Sequence, residues 1–486
     1  MKIAVTELPY VNSADLFDKV ADQPWAIFLD SGTTEHLAEQ GNHADFDVMA
    51  IKPQSTLVFD GQLTNFRHGT IDDSLYGEPL AILQTAIPIA ENQDQFDEPY
   101  LPGALGYFSY DLARQYEGVP THAQDPEQLP MMAIGIYFVI LLIDHRRKVC
   151  RLIQLGDSQE IQAIVDEWSD LVAWTAEFEQ GSEELDEDRV GEPRPKLPFQ
   201  TGGLLSGLLK ENMNRDVYRK NFKTIRDYTI AGDCYQVNLT KQFSAQVAGD
   251  AWLTYRYLRA QSPAPYGCYM NLPFAQILSN SPESFIQCRD RLVVTSPIKG
   301  TRPRAHHNDE IDKAEAQALK NSAKDRAENL MIVDLMRNDL SRCCELGSVK
   351  VPKLFEVHSF ANVHHLISTV TGKLKKELHA IDLFRACFPG GSITGAPKIR
   401  AMQIIEELEP TRRGLYCGSI GYIGVDGSLE TNIAIRTIVV KDGVARYSAG
   451  GGLVIDSEVE DEYQELLDKA RMMTEALFKN KRPANN

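Results

Sequence analysis

The chain has 486 residues and a formal net charge of −18, with 43% hydrophobic and 24% charged side chains, which is ordinary for a globular protein with room for two or three domains or one large layered body. No run of Lys and Arg interrupts the acidic balance, which excludes a nucleic-acid or anionic-membrane surface, so any anionic ligand must meet cations that are few and local. The eight cysteines form no C-x-x-C pair and no Cys/His ligand spacing, as expected for reduced thiols in a cytosol rather than a structural zinc site.

In chain order, MKIAVTELPYVNSADLF places Glu7 and Pro9 where an export signal needs an apolar block, so a cytoplasmic protein is expected. Strand-like runs begin at Trp25 and Ser55, and MMAIGIYFVILLI, Met131 to Ile143, reads as one buried strand, well short of the ~20 residues that cross a bilayer. A helix follows around EIQAIVDEWSDLVAW. Strands recur without regular helical crossovers, which predicts an α+β fold. Residues 1–176 are expected to form an N-terminal region, 177–212 an acidic Pro/Gly-rich linker, and 213–480 a C-terminal domain. Within the last, Asn214 caps a helix that runs to Gly232, and CYQVNLTKQF alternates like a strand. Ser322 with Asp325 opens a helix running to about Leu340, and Ser457 with Glu460 caps the final one.

Several residues then ask for a chemical explanation. SPIKGTRPR sets Lys299 between a proline and a glycine at the end of the strand-like RLVVTSPI. Glu328 shares a helical face with Ile332 and Leu335, and a core-facing carboxylate must be paired, protonated or metal-bound. On the last helix Glu458, Glu462, Glu465 and Lys469 fall on one face, which is either a solvated acidic surface or a set of oxygen ligands for a divalent cation, with magnesium favoured. Arg436 reads as central to the strand ETNIAIRTIVV, where an arginine is costly unless it finds an anion. SAGGGLVI offers the N–H groups of Gly450, Gly451 and Gly452 as an anion-binding nest, and PGGSITGAPK offers a second glycine-rich helix entry without phosphate-loop spacing. Taken together, one amine, one arginine, glycine N–H groups and a carboxylate-held cation describe a pocket for a small polyanionic acid.

The ordered motifs SNSPESF, SPIKGTRPR, AKDRAENLMIVDLMRNDL, VHHLIST, PGGSITGAPK, GSIGYI, IAIRT and AGGGLV with EYQE resemble the chorismate-utilising enzymes from about Asp216 to Ala476, and the N-terminal stretch is similar, more weakly, to that of their anthranilate- and aminodeoxychorismate-forming members. The resemblance implies an α+β fold of layered antiparallel sheets flanked by helices, with the active site between them. It implies magnesium ligands at Glu328 and Glu465 with Glu462 accessory, and carboxylate-binding groups at Arg436, Tyr422, Lys469 and Gly450 to Gly452. A general acid falls on Glu283, and the pocket histidine falls on His365 rather than His364. Thr301 and Gln236 join the substrate-binding set.

Two positions point to a branch. Gln236 stands where water-adding members carry a base lysine, which resembles the ammonia-using enzymes. Lys299 replaces the alanine of anthranilate synthases, which implies amination of chorismate through a covalent lysine intermediate to aminodeoxychorismate, on the route to 4-aminobenzoate and folate. No cysteine stands in a G-x-C-x-G-like nucleophile turn, so ammonia is expected from a glutamine amidotransferase partner or free in solution. Burial beside Arg302 or Arg304 is expected to lower the Lys299 pKa. In relatives the N-terminal region holds tryptophan, but LDSG at Leu29 to Gly32 departs from the feedback-inhibited pattern, so the role of that pocket stays open. The alternatives are anthranilate synthase chemistry, or a catalytically idle subunit that senses chorismate or tryptophan.

Overall fold

The computed structural model describes residues 1–32, 45–181, 200–201, 209–305, 308–360 and 363–478. Most of the acidic linker, 182–199 and 202–208, lies outside the described residues.

Two large sheets, of thirteen and twelve strands among the described residues, carry the chain, and every ladder within them is antiparallel. Three apolar layers result. One cluster fills the space between the sheets, with Ile27 and Ile277 from the first facing Leu105, Tyr107 and Ile420 from the second. A second buries the outer face of the first sheet under helices that contribute Trp168, Tyr218, Trp252 and Leu466. A third buries the outer face of the second sheet under Ile332, Met336 and Phe384. Strands with both faces covered read as continuous apolar runs, which accounts for the hydropathy of the N-terminal strands. This is the layered α+β architecture expected.

The region before the linker is not a separate body. Ala26–Asp30 pairs with Tyr266–Leu272 in the first sheet, and Gly103–Phe108 pairs with Ser419–Gly424 in the second. The apolar run expected as one strand is two: Met132–Tyr137 lies in the second sheet and Val139–Asp144 in the first, with a break at Phe138. Apolar composition marks burial but not which sheet receives it, and the crossover lies within the run.

Local signals place several elements well. The Asn214 side chain caps Arg215–Ala231 by accepting the Val217 N–H, and Gly232 ends it at φ 84°. Ser322 caps Ala323–Cys343 through the Asp325 N–H. The Ser457–Glu460 pair does not form the expected cap: Ser457 donates to Glu462 at 2.7 Å, while Glu460 binds Arg215 and Arg219. All eight cysteines are free and buried.

Candidate active site

The chain passes between the two sheets at two adjacent crossovers, and both carry candidate side chains. Ala275–Ser281 belongs to the first sheet and Ser284–Arg289 to the second, so Glu283 stands in the step between them. Leu429–Asn432 and Thr437–Lys441 make the return crossing, which holds Arg436. The crossovers are stitched together: Ile433 N–H donates to the Glu283 carbonyl at 3.0 Å, Ser281 Oγ to the Ile433 carbonyl at 2.6 Å, and Asn280 N–H to the Arg436 carbonyl at 3.1 Å. Arg436 is therefore not within a strand as expected, but in the crossing segment with φ 50°. A β-strand there would alternate its side chains across one sheet, whereas the crossing delivers the guanidinium into the gap. Burial pushes its pKa down, and no carboxylate stands within ion-pair distance among the described residues.

Lys299 lies in the edge strand Ile298–Pro303, which pairs with Val363–Lys373 so that Lys299 faces Leu366 and Thr301 faces His365. A register shift falls between Lys299 and Thr301. Gly300 makes it at φ +78°, where a Cβ would also meet Leu319 Cδ1 at 2.8 Å. Lys299 Nζ donates to the Ser392 carbonyl at 3.3 Å, and Ser392 Oγ donates to Glu283 Oε1 at 2.8 Å. Burial pushes the Lys299 ammonium down, against the pull of Glu328 and Glu283, while the Lys469 charge adds to the lowering. The expected neighbours are not the cause: Arg302 pairs with Asp325 and Arg304 with Asp312. Burial likewise pushes the Glu283 carboxyl up, opposed by Lys299, the Ser392 hydroxyl, Lys469 and Arg436. The two shifts favour a neutral amine and a neutral acid, the pair that nucleophilic attack with proton donation requires.

His365 Nδ1 is 3.1 Å from Thr301 Oγ1, and burial with the nearby Arg436 charge lowers its pKa to about 4, so its ring is neutral. His364 instead faces Ser359 and Asp312. Gln236 opens the strand Gln236–Ala248. Its Nε2 donates to Asn238 Oδ1 at 3.0 Å, while its Oε1 is buried without a partner among the described residues.

Gly450, Gly451 and Gly452 lie in the regular strand Val444–Leu453, opposite Thr240, Leu239 and Asn238, not in a curled nest. Their smallness serves close approach. A Cβ at Gly452 would lie 2.7 Å from Gln236 Nε2, and one at Gly451 would lie 3.2 Å from Glu462 Oε2. The helix Val459–Phe478 therefore comes close enough for Lys469 Nζ to donate to the Gly450 carbonyl at 3.0 Å and to pair with Glu465 at 2.7 Å.

The acidic residues converge on a cation that the chain itself supplies. Lys324 Nζ is 4.0 Å from Glu328 Oε1 and 3.7 Å from Glu462 Oε1, and Ser457 fixes the latter carboxylate. Burial raises the pKa of both glutamates. In Glu465 burial is outweighed by the Lys469 charge and hydrogen bond, and its pKa is lowered. Among the described residues no three metal-ligating side chains are drawn together as a closed set. The donors are nonetheless all carboxylate oxygens, two of them already flanking an exposed ammonium, which fits a hard divalent ion that takes oxygen ligands and retains waters.

Tyr422 is not brought to this cluster. Its hydroxyl donates to the Leu101 carbonyl and accepts the Leu101 N–H, each at 2.7 Å. It lines a separate small cavity of about 50 Å³ between the sheets, with Asp30, Ser31, Tyr100, Tyr266 and Glu430. The strand Ser419–Gly424 alternates, and the face that takes Tyr422 turns to the N-terminal half. Sequence reasoning also missed three groups. Lys324 stands one helical turn before Glu328, a spacing that offered a signal. Ser392 and Asn238 offered none, because both act through long-range hydrogen bonds.

The family described as chorismate binding enzyme matches residues 27–475. The chain is 44% identical over 464 residues to aminodeoxychorismate synthase component 1 of Klebsiella aerogenes and 42% identical over 465 residues to that of Escherichia coli (strain K12), each alignment covering 95% of both chains. Its structure is similar to the crystal structure of anthranilate synthase component I from Streptococcus pneumoniae TIGR4, with a TM-score of 0.74 and 31% identity over 91% of this chain and 98% of that one. With a lysine, a buried acid and an array of carboxylates gathered where the two sheets exchange strands, this chain belongs to the chorismate-binding enzyme family.

Proposed function

We propose that the protein aminates chorismate to 4-amino-4-deoxychorismate, as the names of its component 1 relatives indicate for them, on the way to 4-aminobenzoate and folate. The observation that carries the reading is that one residue, Ser392, contacts both Lys299 and Glu283 at a site where burial favours the neutral form of each.

Exchanging a hydroxyl for an amine at one ring carbon with retained geometry is difficult in a single displacement, and a covalent intermediate divides it into two allylic steps. The neutral Lys299 amine forms a C–N bond at the far end of the ring diene. The double bonds shift, the ring C–O bond breaks, and the Glu283 proton leaves with the hydroxyl as water. The Glu283 carboxylate then takes back a proton from the alkylated nitrogen. Ammonia forms the new C–N bond at the vacated carbon, the double bonds return, the C–N bond to Lys299 breaks as Glu283 gives its proton to the departing nitrogen, and the Glu283 carboxylate recovers a proton from the new ammonium group. Arg436 and Lys469 are the cations for the substrate carboxylates, and neutral His365 with Thr301 offers hydrogen bonds to the ring. Magnesium, held by Glu328 and Glu465 with Glu462, would supply charge to bind and orient a substrate carboxylate.

Component 1 in the relatives' names supports a partner subunit, and we assign it the release of ammonia from glutamine. A tryptophan in the N-terminal region, which the resemblance implies, would need the cavity beside Tyr422 to open, since its free volume is about 50 Å³. Among the described residues no helix is long and apolar enough to cross a membrane; the cytoplasmic location is part of the proposal. Incubating the purified chain with chorismate, ammonia and Mg²⁺ and identifying the product by mass tests the reading. Aminodeoxychorismate is expected; fluorescent anthranilate, or no product, overturns it.

A further inference from the structure

Next to this centre lies a second charged pair that the reaction above does not use. Arg413 and Glu409 are 3% and 4% exposed, and they meet through two hydrogen bonds of 2.7 and 2.9 Å. A desolvated pair of this kind is a weak source of stability, because the attraction does little more than offset the loss of hydration. What the pair holds is more telling. Arg413 also donates to two backbone carbonyls from distant segments, Ile393 at 2.8 Å and Asn238 at 2.9 Å, and Glu409 accepts the Thr240 N–H at 2.9 Å. A single planar fork thus ties the strand Gln236–Ala248 to the turn Gly391–Ile393.

Those two segments carry the side of the site that meets Lys299 and Glu283. Asn238 Nδ2 donates to the Ser392 carbonyl at 3.1 Å, the same carbonyl that Lys299 reaches, and Asn238 Oδ1 accepts from Gln236. The fork is itself braced by the N-terminal region. The Arg413 guanidinium lies 4.9 Å from the centre of the Tyr110 ring, Asp111 accepts the Gly414 N–H, and Ser109 donates to the Gly414 carbonyl.

We propose that Arg413 is a positioning residue for the amination: without touching substrate, its two-carbonyl fork sets Ser392, Asn238 and Gln236 in register, so that one serine contacts both the nucleophile and the acid. The inference rests on the reading of the Lys299 cluster as the amination centre. Arg436 hangs from the crossing segment between the sheets, which the fork does not bond, while Lys469 is held by its own helix and reaches only the Gly450 carbonyl of the strand beside Thr240. Because Ser392 touches the amine and the acid and Arg436 lies outside the fork, a loss at Arg413 acts more on turnover than on chorismate binding.

Arg413→Lys keeps the charge opposite Glu409 but cannot span both carbonyls, and the double variant Arg413→Met/Glu409→Gln removes the charges together in case the first fails to fold. Steady-state kinetics on folded enzyme should show kcat reduced by about tenfold to a hundredfold, as expected for a misplacement on the scale of an ångström, with KM for chorismate nearly unchanged. A purely structural role would lower Tm and leave kcat per folded molecule at the wild-type level, and that result overturns the proposal.

A second measurement separates this inference from the functional reading. Infrared difference titration of the free protein, with Glu283→Gln as the assigning control, follows the Glu283 carboxyl whether or not the wild type makes aminodeoxychorismate. Lys299, Lys469, Arg436 and the Ser392 hydroxyl all face that group and lower its pKa. Displacing Ser392 should therefore move its titration to higher pH in the variants. An unmoved titration sinks the role of Arg413 even if the wild type proves active, while a moved one in an inactive wild type sinks only the reaction.

Discussion

Lys299 donates through Nζ to the Ser392 carbonyl at 3.3 Å, and the hydroxyl of that same serine holds Glu283 at 2.8 Å. Amine and carboxyl are thereby both tied to one residue of the Gly391–Ile393 turn, the first through its carbonyl and the second through its hydroxyl. Burial is the largest influence on both, pushing the amine towards its neutral form and the acid towards its own.

Replacing Lys299 with alanine should abolish aminodeoxychorismate formation while chorismate still binds, since the carboxylate-binding cations remain. Calorimetric binding beside a product assay checks both halves. Undiminished turnover would remove the lysine from the mechanism.

The pH profile of kcat/KM should be bell-shaped. On the acid side activity falls as Lys299 gains a proton, and its lowered pKa brings that fall to lower pH than an ordinary lysine would give. On the alkaline side it falls as Glu283 loses its proton, a loss delayed by its raised pKa. Glu283→Gln should lower kcat by about 10²- to 10⁴-fold and erase the alkaline fall. A variant profile that keeps that fall assigns it to another group.

Lys324 and a divalent ion compete for the same carboxylates. Glu328→Gln should weaken Mg²⁺ binding by at least about tenfold, since losing even an outer partner of a metal site costs that much. Lys324→Met should tighten it. Titration calorimetry with Mg²⁺ alone reads both, and tighter binding in neither the wild type nor Lys324→Met than in Glu328→Gln would refute the metal site.

Glu127 offers a test of stability away from the reaction centre. It is 6% exposed, its Oε2 lacks a hydrogen-bond partner among the described residues, and burial raises its pKa from 4.5 to about 8. A folded-state pKa raised above the unfolded one contributes stability that is full below pH 4.5 and is lost as the pH rises through about 8. Glu127→Gln removes that loss, so its Tm should exceed the wild type's by several degrees at pH 8 and match it near pH 5. Equal melting curves at pH 8 would show that the carboxylate is paired in solution.

Much of the centre was legible in the chain because its residues sit on periodic elements. Glu328 shares a face with Ile332 and Leu335, and Glu462, Glu465 and Lys469 recur along one helix, so a 3.6-residue period brings each set to one side. His365 was chosen over His364 by the resemblance alone; the structure separates the two, with His365 beside Thr301 and His364 turned to Ser359 and Asp312.

Periodicity has nothing to say where the chain leaves one sheet for the other. Arg436 looked like a strand residue because IAIRTIVV is mostly β-branched and apolar, yet the strand begins only at Thr437 and Arg436 lies in the crossing before it. Tyr422 matched a motif and still faces the second cavity, because the partner strand Gly103–Phe108 decides which side of the sheet is the interior. Ser392, Asn238 and Arg413 act across 109, 154 and 175 positions of sequence.

Local chemistry, carried by residue type and spacing, determined the elements, their caps and the stock of reactive groups, since those depend on neighbours within a few residues. Which groups share a pocket, and in what protonation state, was decided only when two sheets closed over them, because desolvation and long-range hydrogen bonds exist only in the packed chain.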